Sequence, residues 1–133
     1  MQDKINILLL EDSEADAELE ILELRRNGLQ VNYSRADTKE QMLALLDSQH
    51  WDIVISDYVM PSFSALEAIR LVKEKQLDIP LIVVSGTIGE DVAVDTMKAG
   101  ATDYIMKGNL KRLAQAVLRE IKESRIRNQK KNC

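Results

Sequence analysis

Five polar residues stand directly after apolar runs, and together they can do phosphate chemistry. The stretch WDIVISDYVMP, residues 51–61, carries Ile53, Val54 and Ile55 into the carboxylate of Asp57. The run Ile5 to Leu10 leads into Glu11 and Asp12, IPLIVVS leads into Ser85 with Gly86 and Thr87 behind it, and TDYIMK ends in Lys107. Three carboxylates brought close together repel one another. A hard divalent cation relieves that repulsion, and magnesium suits a sparse set of one or two carboxylates, a backbone carbonyl and waters. A metal held this way, with an ammonium and a hydroxyl beside it, suits transfer of a phosphoryl group to a carboxylate. Asp57 is the candidate nucleophile, Lys107 a point charge on the equatorial oxygens, and Ser85 with nearby backbone N–H groups a source of hydrogen bonds to the product.

For this chemistry the apolar runs must be strands whose ends meet. The runs at 5–10, 52–57 and 79–85 are apolar along most of their length, as strands buried on both faces are. The run at 29–34 is a weaker strand, and TDYIMK at 102–107 is the last one. Between them lie segments of helical period: one through DAELEILELRRNG with Leu19, Leu22 and the stem of Arg26 on a stripe and Gly28 as its stop, and one after Asp37 or Thr38 carrying Met42, Leu45 and Leu46 inward. Others run from about Ser64 to Lys75 with Leu66, Ile69, Leu71 and Val72, from Glu90 to Ala99 closed by Gly100, and from Asn109 with Leu110, Leu113, Ala114, Val117, Leu118 and Ile121. The sum is (βα)5, an α/β fold with a parallel five-stranded sheet of order 2-1-3-4-5, doubly wound in the flavodoxin-like manner with helices on both faces. That order sets the carboxyl ends of strands 1, 3, 4 and 5 side by side, roughly 4.8 Å apart, at the default ligand crevice of an open sheet.

Composition narrows the partners. A chain of 133 residues, 45% hydrophobic and 30% charged, fits one globular domain. With 22 acidic against 18 basic residues the net charge of −4 gives no general attraction to nucleic acid or an anionic bilayer, so direct nucleic-acid binding and membrane insertion are not expected. One cysteine, Cys133, forms no internal disulfide, and one histidine, His50, has no companion for a zinc site; both suit a cytoplasmic setting. No run approaches the roughly 18 apolar residues of a membrane span. Residues 1–126 read as the domain and 127–133 as a basic tail.

The residues resemble the receiver domains of two-component response regulators and hybrid histidine kinases, over essentially the whole chain. The resemblance rests on the acidic pair Glu11 and Asp12, the D-x-x-M-P run from Asp57 to Pro61, Ser85, the aromatic Tyr104 and Lys107. It implies that Asp57 accepts phosphate from a histidine kinase or phosphotransfer protein. Magnesium would then be held by Asp12, Asp57 and the carbonyl of Val59, with Glu11 acting through water. Ser85, Gly86 and Lys107 would hold the phosphoryl group. Ser85 and Tyr104 would act as switch residues, reshaping the face of helix 4, strand 5 and helix 5 for an effector protein, in a monomer or a phosphorylation-dependent dimer. The implied role is a signalling module rather than an enzyme. The pattern GTIGEDVAVDTMKAGATDYIMKGNL is most similar to receivers attached to sensor kinases, and both a stand-alone regulator and a kinase segment fit it.

Three positions depart from the family pattern. Ala65 stands where glycine is usual, so the loop after strand 3 is expected to take its own path. Gly108 follows Lys107 in place of proline, and since a cis non-proline bond costs roughly 3 kcal/mol, the Lys107–Gly108 bond is expected to be trans. Val59 offers no polar side chain to orient a hydrolytic water, so slow autodephosphorylation is expected. The bland readings are that Glu14, Asp16, Glu18, Glu20 and Glu23 form a solvated helix face favoured by the macrodipole, that His50 is a surface residue, and that Tyr104 is an ordinary strand aromatic. A dehalogenase-type phosphatase would need an aspartate at the place of Val59, and a dinucleotide binder would not carry the acidic EDSEAD after strand 1. The competing reading is a docking module of the same fold that is never phosphorylated.

Overall fold

The structure is a computed structural model that describes residues 4–86 and 89–131. The elements follow as β1 (Ile5–Leu10), α1 (Glu14–Arg26), β2 (Val31–Ala36), α2 (Lys39–Ser48), β3 (Ile53–Asp57), α3 (Ala65–Glu74), β4 (Leu81–Ser85), α4 (Glu90–Ala99) and β5 (Asp103–Met106). A 3-10 segment (Lys107–Arg112) then leads into α5 (Leu113–Lys131). All five strands are parallel and stand in the order β2-β1-β3-β4-β5, the expected doubly wound arrangement.

Strand periodicity divides the core in two. Ile7, Leu9, Ile53, Ile55, Ile82, Val84 and Ile105 point to one face, where Ile21 and Leu24 of α1 and Leu113 and Val117 of α5 cover them. Their neighbours Leu8, Leu10, Val54, Leu81 and Val83 point to the other, against Met42 of α2 and Ala68, Ile69 and Val72 of α3. Because successive side chains alternate, a strand that is apolar throughout demands helices on both sides. Each fully buried aliphatic side chain contributes about 1.5–3 kcal/mol.

The helix ends show why the chain turns where it does. Ser13, Thr38 and Ser64 cap α1, α2 and α3, each accepting a hydrogen bond from the backbone N–H three residues on. Gly100 ends α4 at φ +122°, and the N–H groups of Gly100 and Ala101 return to the carbonyls of Met97 and Thr96. This is the left-handed cap that glycine makes cheaply. Lys73 of α3 also reaches that end and donates to the Ala99 carbonyl at 2.6 Å.

Several expectations need correction. In α1 the stripe of Leu19 and Leu22 faces solvent, at 54% and 52% exposed, while Ala17, Glu20, Ile21 and Leu24 are buried. Both stripes have helical spacing, but Ile21 and Leu24 complete the layer over β1 and α5, and Glu20 is carried in with them. Leu118 of α5 is likewise half exposed. β2 lies two residues later than the run at 29–34, since pairing of Val31 to Ala36 with Ile5 to Leu10 sets its limits. Asn109 sits at a non-helical kink, φ −134° and ψ 51°, within residues 107–112, and α5 itself begins at Leu113. Apart from these corrections, α5 runs from Leu113 to Lys131, and Arg127 on it meets Asp78 at 3.3 Å.

Candidate phosphoacceptor and metal site

Strand register brings the five candidates to one rim. Leu10 is paired with Ser56, Asp57 with Val84, and Ser85 with Met106. The residues directly after β1 and β5 are Glu11 and Lys107, which flank the pair Asp57 and Ser85. One carboxylate oxygen from each of Glu11, Asp12 and Asp57 lies within 4.8 Å of the others. The acids sit at graded depth, with Glu11 buried, Asp57 intermediate and Asp12 exposed. Such a set fits a hard cation entering from solvent, with charged oxygens beneath and open positions for water above. Val59 follows Asp57 in the loop, its side chain exposed and its backbone bridged to Ser64.

Glu11 is tied in from both ends. Its N–H donates to the Ala36 carbonyl, its own carbonyl accepts from Arg35, and Oε1 accepts from the N–H of Ser13 at 3.2 Å. Oε2 lies 3.2 Å from Nζ of Lys107, yet accepts no well-directed hydrogen bond. Burial pushes the Glu11 carboxyl up to about 7, with the charge of Asp57 adding to the rise and the Ser13 N–H and Lys107 opposing it. A cation among the acids would supply the missing compensation.

Lys107 joins the cluster across the sheet. Its Nζ donates to Oδ2 of Asp57 at 3.3 Å and to Oδ2 of Asp16 at 2.7 Å. Burial works against the ammonium, but bonding to Asp16 and the charges of Glu11 and Asp57 outweigh it and hold its pKa above the usual lysine range. The side chain therefore stays cationic. Gly86 stands beside it, where a Cβ would come 3.8 Å from Cδ of Lys107. Ser85 is buried at the end of β4. Positions 87 and 88, the other source of backbone N–H groups after β4, lie outside the described residues.

A model of the response regulator receiver domain matches residues 7–118. The chain belongs to the response regulator receiver family. The cell cycle transcriptional regulator CtrA of Caulobacter vibrioides is 28% identical over 103 residues, which cover 77% of this chain and 44% of CtrA. The chain thus spans under half the length of this curated relative. A receiver domain of a signal transduction histidine kinase from Syntrophus aciditrophicus superposes with a TM-score of 0.74 at 28% identity, covering 89% of this chain and 90% of that one. A response regulator from Burkholderia pseudomallei, with a phosphorylated aspartic acid, a calcium ion and citrate, superposes with a TM-score of 0.72 at 25% identity, covering 97% of this chain and 75% of that one. Receiver domains interact with histidine kinases or phosphotransfer proteins, and they typically bind magnesium at an acidic pocket like the one formed here by Glu11, Asp12 and Asp57.

Within this receiver domain the departures from the family pattern are absorbed locally. Ala65 is fully buried as the first residue of α3, its N–H bonded to the Tyr58 carbonyl at 3.0 Å. The Lys107–Gly108 bond is trans, and Lys107 still reaches the acids from the start of a 3-10 segment. Tyr104 is half-buried and packs against the α2 and α3 side of the core. His50 is exposed and lies 3.7 Å from Asp52, far from Asp57 along β3.

Two acids read from sequence as a solvated face belong to this region. Asp16 makes the shortest contact of Lys107, and Glu20, one turn further along α1, is 2% exposed with Oε2 unpartnered. Burial, reinforced by the charge of Glu11, raises the Glu20 carboxyl to about 8. The available signal was spacing: Asp16, Glu20 and Leu24 recur at i, i+4 and i+8, but only Leu24 announces burial.

Proposed function

We propose that this receiver domain takes a phosphoryl group onto Asp57 from a histidine kinase or phosphotransfer protein in a magnesium-dependent step. The observation that carries this reading is the meeting of Asp57 with Lys107 at 3.3 Å inside a triad of acids whose oxygens lie within 4.8 Å. The phosphorylated aspartic acid and bound calcium of the Burkholderia pseudomallei relative support it.

In this reading a carboxylate oxygen of Asp57 attacks the phosphorus. The bond from phosphorus to the donor breaks, its electron pair leaves with the donor, and an acyl phosphate is formed on Asp57. Glu11, Asp12, Asp57 and the Val59 carbonyl would hold the magnesium ion, which supplies positive charge to the transferring oxygens when bound. Lys107 contributes its fixed cation, and the Ser85 hydroxyl donates to a phosphoryl oxygen. Gly86 leaves room for the backbone to approach. Ser85 and Tyr104 would pass the change to α4, β5 and α5, where Val94, Met97, Met106 and Leu118 already expose 48%, 44%, 39% and 50% of their surface. Apolar side chains of this kind suit an effector protein or a second copy.

The test is incubation with magnesium and acetyl phosphate. Wild type should gain one acid-stable, base-labile phosphoryl group by intact mass, and Asp57→Asn should gain none. A wild-type protein that stays unmodified, also with phosphorylated kinase as donor, would leave the docking-module reading in its place.

A further inference from the structure

Lys107 is held from two sides. Its Nζ is 2.7 Å from Asp16 on α1 but 3.3 Å from Asp57, and Asp16 is 39% exposed where Asp57 is 12% exposed. A cleft of about 60 Å³ lined by Asp16, Leu19, Glu20, Lys107 and Leu110 opens on the α1 side. The ammonium thus has both a partner and space away from the acceptor.

We propose that Asp16 is a positioning residue that competes with the phosphoryl group for Lys107 and so restrains phosphorylation of Asp57. This rests on the phosphoacceptor reading above. When a cation offsets Glu11, Asp12 and Asp57, their hold on Lys107 weakens, and Asp16 is the acid left outside that set. A phosphoryl oxygen on Asp57 must then draw Nζ away from its shortest contact. Asp16 is not required to keep Lys107 charged, since the lysine is cationic at neutral pH in either arrangement. Its carboxylate therefore acts chiefly on where the ammonium sits.

The test compares rates of phosphorylation by acetyl phosphate with magnesium in four proteins: wild type, Asp16→Asn, Lys107→Met and the double variant, with thermal melts of each. Asp16→Asn should phosphorylate about two- to fivefold faster than wild type, the scale of one partly exposed ion pair. In the Lys107→Met background the same substitution should change the rate by less than about twofold, because no ammonium remains to be released. Equal acceleration in both backgrounds would mean general charge repulsion of the donor and would overturn the proposal. So would an unchanged or slower Asp16→Asn protein with an unaltered melt, or one whose slowing follows a lowered melt. A wild type that is never phosphorylated would overturn the phosphoacceptor reading and this inference with it, whereas a phosphorylated wild type with no Lys107-dependent effect overturns this inference alone.

Discussion

Oε2 of Glu11, on a side chain 1% exposed, faces Nζ of Lys107 at 3.2 Å. Two residues far apart in the chain share this contact, buried on the acid's side, and the acid in it is raised to about 7 by burial. A proton and a cation must compete for this carboxylate.

Magnesium affinity should therefore weaken as pH falls from 8 to 6. The raised carboxyl is ionised above about 7 and protonated below it, so affinity approaches a loss of about tenfold per pH unit on the acid side. Calorimetric titration in wild type and Glu11→Gln checks this, and a slope that survives in Glu11→Gln assigns the effect to another group.

Stability should show a second pH dependence, from Glu20. Its folded pKa, about 8, lies above the ordinary 4.5, so between these values the folded state binds more protons than the unfolded one. Stability consequently falls as pH rises through that window, by up to about 1.4 kcal/mol per pH unit. Urea unfolding of Glu20→Gln at pH 6 and pH 8 should show this part of the slope gone and the variant more stable than wild type at pH 8. Equal slopes in the two proteins would contradict the burial of an ionisable Glu20.

Autodephosphorylation should be slow. Val59, two residues after Asp57, is 60% exposed and carries no group to orient a water. Val59→Asn should shorten the phosphoprotein lifetime by about tenfold or more, as a positioned polar group does for hydrolysis. Decay of radiolabelled protein measures it, and a wild type as short-lived as fast chemotaxis-type regulators would refute it.

Gly100→Ala should destabilise the fold by roughly 1–3 kcal/mol. The residue has φ +122°, and an added Cβ would stand 2.6 Å from the Lys73 side chain, which would then lose its bond to Ala99. Thermal melts check the loss, and pairing with Lys73→Ala should relieve the steric part only.

Sequence showed the rim of the sheet more clearly than the surfaces beside it. Ile5 to Leu10 and Ile53 to Asp57 are apolar enough that their ends place Glu11 and Asp57 without knowledge of anything else. β2 was displaced by two residues because an edge strand exposing Asn32 and Tyr33 takes its limits from pairing with β1. Asp16 and Glu20 were misread for a different reason. Their surroundings depend on the rotation of α1 about its axis, which is set by Ile21, Leu24 and a lysine 91 residues away. No local pattern contains that rotation.

Trp51, the chain's one tryptophan, is 2% exposed at the foot of β3, its indole N–H bonded to the Leu45 carbonyl at 2.7 Å. Six residues of extended chain, about 20 Å, separate it from Asp57. Its fluorescence is accordingly a native gauge of whether the core is intact. Loading the acids with metal or phosphate should leave that signal nearly still, and a titration of Trp51 emission against magnesium, set beside a urea melt, checks whether it reports unfolding alone.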